Sequence, residues 1–145
     1  MSDFRQLSGQ VWASPQIDES DIAEAKALGF CAILSNRPDG EAPGQPATGA
    51  LAELAQQAGL TFHSIPITHA GFSQPQVDAM ANLLRETDGK LLAFCRSGTR
   101  STLLWALASA SMGESPDDLA TAAAAAGYDL APVRPAMEML ANRED

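Results

Sequence analysis

Hydrophobic positions along the chain follow two spacings, one typical of buried strands and one of helices. Short apolar runs that suit strands occupy 30–34, 61–65 and 91–94, and a briefer one is formed by Val11 and Trp12. Helical spacing of apolar residues fills the stretches 18–28, 47–58, 75–86, 101–111, 119–126 and 132–142. The alternating order of helices and strands predicts an α/β fold: a three-layer, mainly parallel sheet flanked by helices.

Polar residues mark the starts of several of these helices, and loops separate them from the strands. Asp18, Ser73 and Ser115 stand where N-caps belong. The stretch 35–46 contains too many prolines and glycines for regular structure, and 69–73 is a second loop. Because ligands of parallel sheets bind beyond the C-terminal ends of the strands, we expect the loops after residues 34, 65 and 94 to gather on one rim.

Length and charge limit the class of protein and its partners. With 145 residues the chain is predicted to be a single domain, 1–145. Its net charge of −9 argues against nucleic acid or an anionic membrane as partner. We find no signal peptide, no transmembrane segment and no metal-ligand spacing, so we expect a cytoplasmic protein that needs neither metal nor cofactor.

The strand at 91–94 leads directly into the sequence Cys95-Arg96-Ser97-Gly98-Thr99-Arg100, and a helix follows. In such a loop the backbone amides converge on one point, and the helix N-terminus adds positive potential there. These amides and the two arginines favour a thiolate. Cys95 is therefore a candidate nucleophile, the alternative being a small buried hydrophobic residue that ends a strand.

The other loop residues suit the binding of an anion next to Cys95. Gly98 allows a positive φ or a close backbone approach, and Arg100 offers a planar fork that matches phosphate, sulfate or carboxylate. Hydroxyl groups that can bond to the loop or to an oxyanion come from Ser97, Thr99 and Ser101, and Arg96 adds a second positive charge. Ser101 is also suited to be a helix N-cap.

Cys31, the second cysteine, lies within the apolar run 30–34. Its position favours core packing, with a role as resolving thiol for Cys95 as the alternative. We expect both cysteines to be reduced, because a disulfide between them would block the nucleophile.

The loop 95–100 resembles the active-site loops of cysteine-dependent phosphatases and rhodaneses. Four residues separate Cys95 from Arg100, as in the shorter rhodanese loop, whereas protein tyrosine phosphatases have five. Together with the stretches 36–41 and 14–16, the loop is similar to the β-lactamase hydrolase-like protein, phosphatase-like domain family over roughly residues 4–111. The resemblance implies a dual-specificity phosphatase architecture. Members of this family are often described as sulfurtransferases, so the resemblance also implies that activity. It also implies a metallo-hydrolase or a protein of sulfur metabolism as partner.

The choice between these activities depends on the leaving group. A phosphatase needs a general acid, usually Asp, yet residues 68–74 contain none. His69 and Asp39 are candidate substitutes, although His69 is equally suited to bond its own loop and Asp39 suits an ordinary turn. Arg37 is a further anion-binding candidate on the rim.

Sulfur transfer from a thiosulfate or persulfide donor needs no proton donor. The leading hypothesis is therefore a sulfurtransferase that forms a persulfide on Cys95 and acts on a small anionic sulfur donor. The alternative is a phosphatase-like hydrolase that acts on a phosphate ester through phosphocysteine. The third hypothesis is a non-catalytic anion-binding regulatory module.

Overall fold

The computed structural model describes residues 2–142. The strands are β1 (Arg5–Gln6), β2 (Val11–Ser14), β3 (Phe30–Ser35), β4 (Thr61–Ser64) and β5 (Lys90–Phe94). The helices are α1 (Glu19–Ala27), α2 (Thr48–Gln57), α3 (Gln74–Glu86), α4 (Thr99–Ser111), α5 (Pro116–Ala125) and α6 (Arg134–Ala141), the last preceded by a 3-10 turn, Ala131–Val133.

The strands form one sheet in the order β1-β2-β5-β3-β4. Strands β2, β5, β3 and β4 run parallel, and β1 pairs antiparallel with β2 at one edge. The predicted mainly parallel sheet is thus confirmed. Strand β1 was not predicted because its two residues are too few to show a hydrophobic period.

Helices cover both faces of the sheet and create two hydrophobic cores, as the three-layer prediction requires. On one face, Ile22 of α1 and Leu51 of α2 pack with sheet residues that include Phe30 and Leu92. On the other face, α4 packs against the sheet, α3, α5 and α6 pack around α4, and all four helices contribute to a larger cluster that includes the fully buried Leu104. The two layers fix the strands, so the loops at their C-terminal ends start from rigid positions.

Helix α4 begins two residues earlier than predicted. Gly98 is its N-cap, with φ of 91°, and Thr99 is its first residue. Ser101 is therefore not an N-cap; it is the third residue of the helix and is fully buried. The pattern 101–111 missed this start because Thr99 and Arg100 are polar, and only the left-handed backbone of Gly98 shows where the chain turns into the helix.

The interior of α4 is buried on nearly all sides, from Ser101 to Ala110. The sheet lies on one side of the helix, and α3, α5 and α6 surround the rest. The loop before α4 is therefore attached to the most enclosed element of the fold. Within residues 2–142, no helix has the length and apolar character needed to cross a membrane.

Both cysteines are free thiols, as expected, and they lie at opposite ends of the sheet. Cys31 is at the start of β3, four residues before Ser35, which is level with Phe94 at the end of β5. Cys95 follows Phe94 by one residue, so at ~3.3 Å per strand residue about 16 Å separates Cys31 from the level of Cys95. The resolving-thiol alternative for Cys31 is therefore wrong, whereas core packing agrees with its half-buried position.

Candidate active site

The loops that follow β2, β3, β4 and β5 meet at the C-terminal edge of the sheet. The Cys95 amide donates to the Ser14 carbonyl oxygen (3.3 Å), and the Gln16 amide donates to the Arg96 carbonyl oxygen (3.2 Å). Arg100 reaches the Ile67 carbonyl oxygen in the loop after β4. The expected gathering of loops on one rim is thus present, and the loop after β2 joins it.

Asn36, which follows β3 directly, is fully buried and connects three of these loops. Its backbone amide donates to the Phe94 carbonyl oxygen (2.8 Å), and its backbone carbonyl accepts from Ile67 (3.0 Å). Its side-chain amide donates to the Ile65 carbonyl oxygen (2.9 Å) and accepts from the Ser101 hydroxyl (2.8 Å). Because the Ser101 proton is committed to Asn36, Ser101 supports the loop and has no proton left to donate to an anion.

Cys95 lies at the base of the loop and is 1% exposed. The Gly98 amide donates to its Sγ atom over 3.1 Å. In the described part of the chain the Arg96 and Ser97 amides have no hydrogen-bond acceptor, and the Arg100 and Ser101 amides lack one by helix geometry. The Thr99 amide, the first of α4, donates to the Ser97 hydroxyl over 3.4 Å. The sulfur atom therefore sits beside a set of amides that can stabilise a negative charge, on the thiolate or on a bound oxyanion.

The Arg100 guanidinium has one free edge. Its Nη1 atom donates to Glu41 Oε2 and to the Ile67 carbonyl oxygen, both over 2.7 Å, and Nη2 donates to Glu41 Oε1 over 2.8 Å. Guanidinium carries five N–H groups, so the Nε–H group and one Nη2–H group remain. Hydrogen bonding to Glu41 raises the pKa of Arg100 most, and the nearby negative charge of Cys95 adds to it. The remaining pair of donors forms a fork for an oxyanion next to the sulfur.

Glu41 binds two arginines at once. Besides Arg100, it accepts from Arg37 Nε over 2.9 Å, and Arg37 Nη1 donates to the Gln16 side chain over 3.0 Å. Hydrogen bonding from Arg100, supported by Arg37, lowers the pKa of Glu41 to about 2 despite partial burial. Arg37 is buried and engaged within the protein, so the structure places it behind Glu41, where it holds that carboxylate.

The two candidate acids lie elsewhere on the rim. Asp39 is exposed and accepts from both the amide (2.8 Å) and the hydroxyl (2.7 Å) of Thr48, at the start of α2. These bonds lower the pKa of Asp39, the opposite of what a general acid requires. His69 is exposed in a turn closed by the Gly71 amide and the Thr68 carbonyl oxygen, two residues beyond the Arg100 contact at Ile67.

The remaining predicted anion-binding residues belong to the loop itself. Ser97 donates to the Thr99 hydroxyl (2.9 Å), and both residues are exposed. Arg96 is exposed and has no side-chain partner among residues 2–142. The loop therefore presents one unpaired guanidinium to solvent and holds the other, Arg100, in a fixed orientation.

The sequence analysis missed the roles of Asn36 and Glu41. A polar residue at the end of a buried strand was the signal for Asn36, and the spacing of four residues from Arg37 to Glu41 was the signal for the carboxylate. Neither signal identifies Arg100 as the partner, because 59 residues separate it from Glu41.

The Arg100 fork can be tested by substitution. We expect Arg100→Lys to weaken tungstate binding roughly ten- to hundredfold, because one ammonium cannot bind Glu41 and present two aligned donors. Isothermal titration calorimetry measures this loss, with Arg96→Lys, which keeps an exposed cation, as matched control. Equal affinities of wild type and Arg100→Lys would mean that the loop amides alone hold the anion.

The ion pairs of Glu41 should make stability depend on pH. Since the folded pKa of Glu41 is about 2 and the ordinary value is 4.5, its contribution is complete above pH 4.5 and is lost as pH falls towards 2. We expect wild type to exceed Glu41→Gln in free energy of unfolding at neutral pH, and this excess to shrink at about pH 3. Urea denaturation at both pH values measures it, with exposed Glu53→Gln as control. An equal difference in free energy of unfolding at both pH values would contradict a stabilising role for ionised Glu41.

The solved structures that resemble this chain include proteins described as phosphatases. A structure from Neisseria meningitidis, assigned as a candidate phosphatase, is 31% identical with a TM-score of 0.84, over 97% of this chain and 99% of that one. Tk-PTP in its active form has a TM-score of 0.73 at 20% identity, with 98% of both chains covered. The dual-specificity phosphatase architecture expected from the sequence is confirmed.

Sequence relatives point to the same group. A Beta-lactamase hydrolase-like protein from Xylella fastidiosa is 33% identical over 125 residues, which are 86% of this chain and 28% of that protein. The chain thus spans about a quarter of the length of this curated relative. Residues 3–112 match the family described as Beta-lactamase hydrolase-like protein, phosphatase-like domain. The chain therefore belongs to this phosphatase-like domain family.

Proposed function

We propose that this chain is a cysteine-dependent phosphatase domain that hydrolyses small phosphate esters. The observation that carries the proposal is the free Nε and Nη2 edge of Arg100 beside Cys95, whose sulfur accepts from the Gly98 amide. Membership of the phosphatase-like family supports it. This alternative of the sequence analysis is now preferred to the sulfurtransferase, which neither the family match nor the structural neighbours support.

In the proposed reaction Cys95 is the nucleophile. Its thiolate attacks phosphorus, the bond from phosphorus to the ester oxygen breaks, and phosphocysteine forms as the alkoxide or phenoxide leaves and takes up a proton from an acid on the rim or from water. Water then attacks phosphorus, the bond from sulfur to phosphorus breaks, and inorganic phosphate and the thiolate are released. The Arg100 fork and the loop amides bind the equatorial oxygen atoms, which carry the charge of the transition state.

The leaving group restricts the substrate class. Glu41 is ionised at neutral pH, and Asp39 is held by Thr48, so neither carboxyl group is suited to donate a proton. His69 is the remaining candidate acid on the rim, since its loop contacts Arg100 through Ile67. Esters with stable leaving groups, such as aryl phosphates, fit this arrangement better than alkyl phosphates.

Sulfur transfer is the second candidate function, and one observation favours it. Both carboxylates on the rim are engaged in structural bonds, and a sulfite or thiolate leaving group needs no acid. Cys95 would then attack the outer sulfur of the donor and retain it as a persulfide. A metallo-hydrolase or sulfur-metabolism partner, and a cytoplasmic location, stay predictions from the sequence.

The covalent adduct on Cys95 distinguishes the two functions. We expect intact-protein mass spectrometry of acid-quenched wild type to show one added phosphoryl group after incubation with an aryl phosphate. Cys95→Ser, the matched control, should stay unmodified. An added sulfur atom after thiosulfate or glutathione persulfide, without any phosphoryl adduct, would contradict the phosphatase and establish the sulfurtransferase.

The general acid is tested with a series of aryl phosphates of increasing phenol pKa. We expect His69→Gln to reduce the rate of phosphocysteine formation by up to roughly 10²-fold for the poorest leaving group and little for the best. Asp39→Asn serves as control and should leave that rate unchanged while it lowers the melting temperature through Thr48. Equal rates of wild type and His69→Gln across the series would show that the enzyme works without this acid.

A further inference from the structure

Tyr128, which follows α5, is packed against the Cys95 loop from outside the region that matches the family. Its hydroxyl donates to the Ser97 carbonyl oxygen over 3.1 Å, and the residue is 8% exposed. The family match ends at residue 112, so the contact joins the C-terminal part of the chain to the loop. Tyr128 is the only tyrosine of the chain.

The contact at Ser97 determines where the next amide points. In a trans peptide the carbonyl and the N–H group lie on opposite sides of the bond. With the Ser97 carbonyl held by Tyr128, the Gly98 N–H group of the same peptide faces the other way, towards Cys95 Sγ at 3.1 Å. We propose that Tyr128 is a positioning residue that keeps the Ser97–Gly98 peptide oriented for anion binding. Were this peptide to flip, it would present a carbonyl oxygen to the anion in place of an N–H group.

Close packing leaves the phenol little freedom to leave this contact. A Cβ atom built on Gly98 would lie 2.2 Å from the Tyr128 oxygen, so the ring end lies directly on the loop backbone. On the other side, the Arg5 guanidinium lies 5.3 Å from the ring centroid, and its Nη1 atom donates to the Ala126 carbonyl oxygen. The tyrosine is therefore held between β1 and the loop.

The hydroxyl keeps its proton in the neutral range. Burial raises the pKa of Tyr128 most, and the negative charges of Cys95 and Asp3 raise it further, whereas the positive charge of Arg5 lowers it. The net direction is upward from the ordinary value of 10.0. Tyr128 therefore remains a donor to Ser97 over the range in which Cys95 would act.

The positioning role of Tyr128 can be tested through anion binding, which is measured without turnover. Only its contribution to catalysis rests on the proposed function. Tyr128→Phe keeps the ring and removes the hydroxyl, so we expect the dissociation constant for tungstate to rise roughly two- to tenfold. The Gly98 amide resonance in a ¹H–¹⁵N spectrum should move as well. Thr121→Val, which removes an exposed hydroxyl bonded to the Asp117 carbonyl oxygen in α5, is the matched control and should change neither.

A Tyr128→Phe variant with wild-type affinity and an unmoved Gly98 resonance overturns the proposal. The two proposals fail separately. If wild type binds tungstate but hydrolyses no phosphate ester, the positioning role stands and the phosphatase fails. If wild type hydrolyses aryl phosphates and Tyr128→Phe does so with unchanged kcat and KM, the positioning role fails.

A second measurement uses the wild-type sequence, so its result does not depend on whether the Tyr128→Phe variant folds. Because the chain has one tyrosine, growth with 3-fluorotyrosine labels Tyr128 alone. We expect its ¹⁹F resonance to move when tungstate saturates the loop, and to move less in Arg100→Lys at the same tungstate concentration, because that variant binds tungstate more weakly. An unmoved resonance in labelled wild type that calorimetry shows to be saturated would also overturn the proposal.

Discussion

The rim of the sheet depends on hydrogen bonds that pair its buried polar groups, and Asn36 makes several of them. The chain leaves the core at three neighbouring strand ends, where its polar backbone groups would be buried without partners. The backbone and side chain of Asn36 together bind groups in the β5 strand end, the loop after β4 and helix α4. Leaving a buried polar group unpaired costs about 1–3 kcal/mol, so this one residue fixes several backbone segments relative to one another.

The amides of the Cys95 loop can bind an anion because these hydrogen bonds hold the loop in one orientation. A backbone amide is useful to an anion only when it has no other acceptor and cannot turn away. Asn36 anchors the loop through Phe94 and Ser101, and Tyr128 holds it from the side at Ser97. The donors around the sulfur are therefore oriented before a ligand arrives, so binding need not reorganise them.

The charged side chains around the anion site both balance and orient one another. In a chain of net charge −9, an anion site needs a local excess of positive potential. Glu41 reduces that excess, since it binds both Arg37 and Arg100, but it also orients the Arg100 guanidinium with one edge free. Binding then depends on directed donors and the helix N-terminus more than on net charge. The same pairing removes Glu41 as a proton donor, which links the geometry of anion binding to the choice of leaving group.

The sequence by itself determined the fold class and the reactive loop. Apolar runs of strand length alternating with helical spacing were sufficient for the three-layer parallel sheet, because burial on one or two faces imposes those periods. The loop 95–100 was recognisable because its residues are contiguous and their chemistry does not suit a core. Its spacing, however, suggested sulfur transfer, whereas the family and the structural neighbours favour the phosphatase.

Only the tertiary structure decided which distant residues complete the site. Glu41 meets Arg100 across 59 positions of sequence, and Tyr128 meets Ser97 across 31. Asp39, which has the right chemistry for an acid, is instead bound to Thr48. The physical reason is that side-chain periodicity reports burial but not partners, and a hydrogen bond between loops depends on where the packed helices and strands place their ends.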